Sequence, residues 1–246
     1  MNELALFAAT GGGLLGGKLC GFTTRCAVEI NPFRASVLLA RQRDGLLPHF
    51  PIWDNVCTFD GVPWRGIIRV VSGGFPCPDI ASGGPGTGIF GTRSGLAFEM
   101  LRIIGEVRPA IGLFENSPLL TRRGLEYILF ALARMGYDAQ WGVLGANQAG
   151  ASHGRKRAWV LASDPNQKRP SRGNDKRSNQ EGWKDADLSA EILAARPFPT
   201  NGNDIPAPHV FGGSDGMANG LERVAACGDG QVPAVVALAW HLLSNE

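Results

Sequence analysis

Cys77 is the residue of this chain best placed for covalent chemistry: Val70-Val71-Ser72-Gly73-Gly74-Phe75-Pro76-Cys77 carries an apolar run into a Gly-Gly turn and then a thiol. In open α/β sheets ligands bind beyond the carboxyl ends of strands, which is where this thiol falls. A packed cysteine in a tight turn is the alternative, since free cysteines are among the most buried residues. A second apolar run, Ala110 to Phe114, ends in Glu115-Asn116 and puts a carboxyl group on the same edge as Cys77. Arg155 and Arg157 lie two apart in an extended segment that feeds Ala158-Trp159-Val160-Leu161-Ala162, so their side chains point the same way. A solvated basic turn is the alternative for that pair.

The amino-terminal part reads as a ligand-binding end. Leu4 to Ala9 is apolar and runs into Thr10-Gly11-Gly12-Gly13-Leu14-Leu15-Gly16-Gly17, a strand, glycine turn and helix start. Such glycines let backbone approach a ligand, and a helix amino terminus offers unpaired N–H groups; plain packing is the alternative. The next strand, Thr24 to Ile30, carries Glu29 at its end, roughly 20 residues on, where nucleotide-binding folds place a ribose ligand. Asp54 closes a third strand, Pro51 to Val56, and is a candidate for an adenine amino group or a turn former.

These positions need a sheet to hold them. Helices are predicted over 31–43, 94–107, 125–135 and 234–243, with further strands over 67–71, 110–114, 138–144 and 158–162. Three βα units in the first 70 or so residues predict an α/β fold with a doubly wound, mostly parallel sheet. The organisation expected is a core over 1–162, a short polar insertion over 163–208 and a closing segment over 209–246 that completes the core. The insertion mixes charges with little periodicity.

At 246 residues, 44% hydrophobic and 19% charged, the chain fits one sizeable globular unit. No apolar stretch is long enough to span a bilayer and no basic region precedes the first apolar run, which predicts a cytoplasmic protein. Five cysteines without a CxxC pair read as reduced thiols and argue against a structural zinc site. A net charge of +2 does not by itself diagnose a nucleic-acid partner.

Taken in order, the motifs resemble the DNA cytosine-5 methyltransferase family of bacteria and phages. The matching residues are Phe7 with Gly11 and Gly12, Val28-Glu29, Asp54, Gly73 to Cys77, Glu115-Asn116, Arg155 and Arg157, and Gly228 with Val232-Pro233. The resemblance implies a Rossmann-like fold that binds S-adenosylmethionine over Phe7 and the Gly11-Gly12 turn, with Glu29 on the ribose and Asp54 on the adenine amine. It also implies that Cys77 adds to carbon 6 of a cytosine flipped out of double-stranded DNA, which makes carbon 5 nucleophilic. Glu115 would then act at ring N3 and the exocyclic amine, Arg157 at O2, and Arg155 on the flipped nucleotide or its phosphate. The polar insertion takes the place of the target-recognition region. A restriction endonuclease is a candidate partner, no metal is required, and a monomer is expected.

The chain departs from the family pattern at Ala9, Pro78, Ala81, His153 and Asp229. Ala9 stands for a glycine, Pro78 for a glutamine and Asp229 for an asparagine; Asp229 would put a carboxylate beside the cationic cofactor. These departures define the alternatives: a transferase that uses a modified S-adenosylmethionine, or a catalytically impaired DNA-binding homologue. A tRNA-modifying branch shares the motifs, so RNA is a further candidate substrate.

Overall fold

The computed structural model describes residues 1–81, 87–91, 93–167 and 230–244. Most of the polar insertion, and Ser82 to Gly84, Gly228 and Asp229, lie outside the described residues. Seven strands form one sheet: β1 (Asn2–Leu6), β2 (Thr23–Val28), β3 (Ile52–Trp53), β4 (Val70–Gly74), β5 (Ile111–Asn116), β6 (Asp138–Gly145) and β7 (Lys156–Ser163). Their order is β3-β2-β1-β4-β5-β7-β6, parallel except that β7 runs antiparallel to both β5 and β6. The doubly wound, mostly parallel α/β sheet predicted above is therefore present. β5 is buried at every position, the pattern of a central strand covered on both faces.

Five helices flank the sheet among the described residues: α1 (Gly12–Leu19), α2 (Pro32–Arg43), α3 (Leu96–Val107), α4 (Leu125–Arg134) and α5 (Pro233–Leu243). Local chemistry sets their ends. Asn31 caps α2 by accepting from the Arg34 N–H at 3.1 Å, Pro32 takes the first position, and Arg41 and Arg43 sit at the negative end of the dipole. In α3 the stripe Met100, Ile103, Ile104 and Val107 is buried against Leu4, Leu6, Val71 and Phe114 of the sheet. Arg108 ends the helix in the left-handed region at φ 52°, one residue before Pro109.

Two predicted features differ: β4 runs on through Gly73 and Gly74, which pair with Leu6 and Glu115, so the Gly-Gly pair is strand in place of the predicted turn, and one βα unit is irregular. The third strand shortens to two residues, and the crossover to β4 contains only single 3₁₀ turns at Val56–Thr58 and Val62–Trp64 in place of a helix. Asn55 and Asp60 accept N–H bonds from Cys57 and Val62, and Pro63 and Gly66 break the segment further. Arg102 of α3 pins this crossover through the carbonyls of Val56 and Phe59 at 2.9 and 3.1 Å.

Two contacts tie the ends of the chain to the sheet. Glu3, buried in β1, accepts from Thr24 Oγ1 of β2 and Ser72 Oγ of β4, each at 2.7 Å, so both neighbouring strands satisfy its carboxyl group. Helix α5 docks on α1: Gly16 has no room for a side chain because Val236 fills it, and Trp240 meets Phe22 edge-on at 5.1 Å. Among the described residues no helix is long and apolar enough to cross a membrane, no cysteine is in a disulfide, and no cluster could hold a metal.

Candidate active site

The strand order reverses between β1 and β4, and there the connections leave in opposite directions and open a crevice. A shallow cleft lies at this point, lined by Phe7, Ala9, Gly13, Ser72, Gly74 and Gln231, among others. Gly73 must be glycine, because a Cβ would collide with the Leu6 carbonyl of the paired strand. The chain leaves β1 under strain, with Phe7 and Ala9 both in the left-handed region at φ 53° and 48°. The turn is held by the buried carboxylate of Glu29, which accepts from the Ala9 N–H at 2.7 Å and the Asn31 N–H at 2.9 Å.

Glu29 keeps lone pairs beyond those two bonds, since an ionised carboxylate has about four acceptor sites. Beside it the ends of β2 and β3 bring Asp54 to the same edge, with the Glu29 N–H bonded to the Trp53 carbonyl at 2.9 Å. Ile30 and Trp53, 72% and 45% exposed, add apolar surface there. Sequence reasoning passed over both; an apolar residue directly flanking a strand-end acid was the available signal. A nucleoside fits this set of groups: carboxylates to accept from hydroxyl and amino groups, apolar side chains for a ring face, and glycine-lined backbone for close approach.

The second half of the site lies one strand further on. In the β4–β5 register Gly74 pairs with Glu115, so the segment leaving β4 toward Cys77 starts beside that carboxyl group. A Cβ on Gly74 would sit 2.5 Å from Glu115 Oε2, which explains the second glycine. Asn116, to which sequence reasoning gave no separate role, donates from Nδ2 to the Phe75 carbonyl at 2.9 Å and ties the Pro-Cys segment to β5. The carbonyl of Cys77 accepts from Ile80 and Ala81 at 3.0 and 2.8 Å, and Pro78 takes the first turn position, where its missing N–H costs nothing. Asp79 fastens the far side by accepting from the Arg93 and Ser94 N–H groups at 3.1 and 2.9 Å, and Arg123 Nη1 holds the Ile80 carbonyl at 2.9 Å.

Glu115 and Trp159 are partners across β5 and β7, which puts Arg157, two residues before Trp159, on the same face. Arg157 Nε meets Glu115 Oε1 at 2.7 Å, and its Nη1 donates to the Lys156 carbonyl at 2.9 Å. Glu115 is 6% exposed, and burial pushes its carboxyl above the ordinary value of 4.5; the Arg157 and Arg155 guanidinium groups pull it back in part. The structure thus brings Glu115 and Arg157 into direct contact, with Arg155 half-buried close by.

The glycines of the first turn divide between two roles. Gly11 supplies a left-handed φ of 87°, the turn the sequence predicts. Gly12 and Gly13 instead lie against Gln231, whose backbone carbonyl and Oε1 occupy the space a side chain would need. The close approach is to the chain itself, and Gln231 is a wall of the cleft that sequence reasoning passed over.

The sequence pattern described as C-5 cytosine-specific DNA methylase matches residues 1–201. The chain belongs to this family. It is 30% identical over 171 residues to the type II methyltransferase M2.BsuMI of Bacillus subtilis, covering 66% of this chain and 42% of that protein. A similar match, 30% over 163 residues, joins it to M.CviJI of a Paramecium bursaria Chlorella virus and covers 65% of this chain and 42% of the relative. The chain therefore spans about 42% of the length of these two curated relatives. Among solved structures, the fold is shared with a putative DNA modification methyltransferase from an E. coli prophage at a TM-score of 0.55 and 22% identity. That alignment covers 67% of this chain and 47% of the other. The Dnmt2 methyltransferase of S. pombe aligns at 0.54 and 18% identity, covering 84% of this chain and 58% of the other.

Within this methylase fold the departure at Ala9 has a physical cost. A φ of 48° is a conformation that glycine adopts freely and alanine does not. Ala9→Gly is expected to raise stability by about 0.5–1 kcal/mol, the relief of strain less the extra entropy of the unfolded glycine. Urea unfolding midpoints of the two proteins check it; an unchanged or lower midpoint refutes it.

Proposed function

We propose that this chain carries the catalytic core of an S-adenosylmethionine-dependent DNA cytosine-5 methyltransferase. The observation that carries the reading is the buried Glu115–Arg157 pair beside the segment bearing Cys77, one strand away from the cleft at the ends of β1 and β4. A thiol, a carboxyl group pushed up by burial and a guanidinium fork are what addition to a pyrimidine ring requires.

Phe7, Glu29, Asp54 and the Gly11 turn would hold the adenosyl part of the cofactor in the cleft, with Gly12 shaping the wall through Gln231. When bound, S-adenosylmethionine supplies an electrophilic methyl carbon. The Cys77 thiolate would add to carbon 6 of a flipped cytosine and make carbon 5 nucleophilic toward that methyl group, whose bond to the sulfonium sulfur would break with the electron pair leaving on sulfur as a neutral thioether. Glu115 keeps a proton at ring N3 and accepts from the exocyclic amine, which stabilises the electron-rich ring. Arg157 has donors left after its bonds to Glu115 and Lys156, and these hold the cytosine O2; Arg155 steadies the flipped nucleotide. Loss of the carbon-5 proton to a base, with departure of the Cys77 sulfur and its electron pair, restores the aromatic ring and the enzyme.

In this reading residues 1–162 are the core, 163–208 stand in for a target-recognition region, and 209–246 complete the core. The docking of α5 on α1 supports the last assignment. Asp229, outside the described residues, is assigned to the cofactor from the family resemblance alone. Double-stranded DNA is the proposed substrate and the cytoplasm of a bacterium or phage-infected host the proposed setting, with a restriction endonuclease as the proposed companion and a monomer as the proposed form.

Incubation with duplex DNA and S-adenosylmethionine, followed by digestion to nucleosides and mass analysis, tests the proposal. A methyl increment on deoxycytidine is the expected result, and a parallel tRNA arm is expected to stay unmodified. No increment on DNA, in a protein that binds the cofactor, overturns the reading.

A further inference from the structure

Gln231 stands between the cleft at the ends of β1 and β4 and the buried carboxyl group of Glu115. On one side its backbone carbonyl and Oε1 press on Gly12 and Gly13, where any Cβ would collide with them. On the other its Nε2 reaches Glu115 Oε2 at 3.5 Å and lies 3.0 Å from where a Cβ on Gly74 would stand. Gly13 and Gly74 give the side chain its slot, and Gly12 clears its backbone carbonyl. Its height in that slot is set by α5, which begins at Pro233 and is anchored through Val236 on Gly16.

We propose that Gln231 is a positioning residue for Glu115: its carboxamide holds Oε2 while Arg157 holds Oε1, and its side chain walls the acid off from the cofactor cleft. The inference rests on the reading of Glu115 as the acid that acts on the target base. A carboxyl group turns easily about its terminal bond, so a contact at one oxygen alone leaves the other free to swing. Two contacts from opposite sides choose which oxygen faces the base. The charged groups that act on Glu115 are Arg157 and Arg155; Gln231 is the neutral donor, and a donor to the ionised form favours it.

The test compares the wild-type protein with Gln231→Met, which keeps length without a donor, and Gln231→Glu, which adds a like charge. Carbon-13 NMR of labelled glutamate, with the Glu115 signal assigned by Glu115→Gln, follows the carboxyl group directly. The pH profile of methyl transfer to duplex DNA is measured in parallel. Loss of one weak hydrogen bond is expected to raise the proton affinity of Glu115 about 3-fold in Gln231→Met. The added carboxylate is expected to raise it by roughly 10-fold or more in Gln231→Glu. The alkaline fall in kcat moves upward in the same order, and kcat drops more than KM for DNA rises. Should Gln231→Met fail to fold, Gln231→Asn, one methylene too short to reach, is expected to behave as Met does. An unmoved Glu115 titration in a folded variant overturns the proposal. A titration that moves in the variants while the wild-type protein transfers no methyl group leaves Gln231's hold on Glu115 standing and overturns only the methyltransferase reading.

Discussion

Cys77→Ala is expected to lower methyl transfer by at least about 10⁴-fold, the scale seen when a covalent nucleophile is removed. Carbon 5 of cytosine gains its nucleophilicity only from the electrons that addition at carbon 6 supplies, so no weaker version of the same route remains. Cofactor affinity is expected to stay within about 2-fold, because Cys77 does not line the cleft between β1 and β4. Stability is expected to change little as well: the Cys77 carbonyl closes the Ile80 and Ala81 turn through backbone atoms that alanine retains. Single-turnover transfer of labelled methyl groups, with calorimetry for the cofactor, measures both. Residual transfer within 100-fold of wild type would sink the covalent route.

Arg157→Leu is expected to cost roughly 3 kcal/mol of stability at pH 8 in addition to activity, because it leaves a buried carboxylate without its partner. Glu115 and Arg157 are 8% and 24% exposed as side chains, so water replaces the lost guanidinium poorly. The sign of the pH dependence follows from the raised carboxyl. A group whose folded-state pKa lies above its unfolded value stabilises the fold in full below the unfolded value, here about 4.5, and loses that contribution as pH rises through the folded value. Removing Arg157 raises the folded value further, so the deficit relative to wild type is smallest near pH 5 and grows toward pH 8. Glu115→Gln in the same protein removes the charge and is expected to recover most of the loss, a coupling that a double-mutant cycle isolates. A deficit equal at pH 5 and pH 8 would show that packing of the arginine stem, and not the orphaned charge, carries the effect.

The two effects connect through the sheet. β7 enters antiparallel beside β5, and that alone brings an arginine from the lead of one strand onto the carboxyl group at the end of another. In a wholly parallel sheet the ends of both strands would carry their loops to the same edge, but Arg157 sits at the start of its strand. Reversing the strand is what puts the start of β7 and the end of β5 together. The same edge receives Cys77 from β4, held by the Asn116 amide on the Phe75 carbonyl.

What the sequence by itself determined is local. An acid at the end of an apolar run must stand on its strand's carboxyl edge, a thiol a few residues past such a run falls beyond that edge, and a run with its apolar residues on one face over 31–43 forms a helix. These follow from backbone sterics and hydrophobic period within a few residues, and they place Cys77, Glu115, Glu29 and Asp54 before any contact is known. The order of those residues along the chain also carried the family resemblance. The tertiary structure alone decided what each glycine was for: Gly11 turns the backbone, whereas Gly12, Gly13 and Gly74 make room for Gln231 and Glu115. It alone decided that Glu115 is buried, that Arg157 answers its charge and that Gln231 joins them from the far end of the chain. The physical reason is that an absent side chain looks the same in sequence whether ligand, backbone or another residue fills the space, and a carboxyl group's proton affinity depends on neighbours that only sheet register and helix docking bring near.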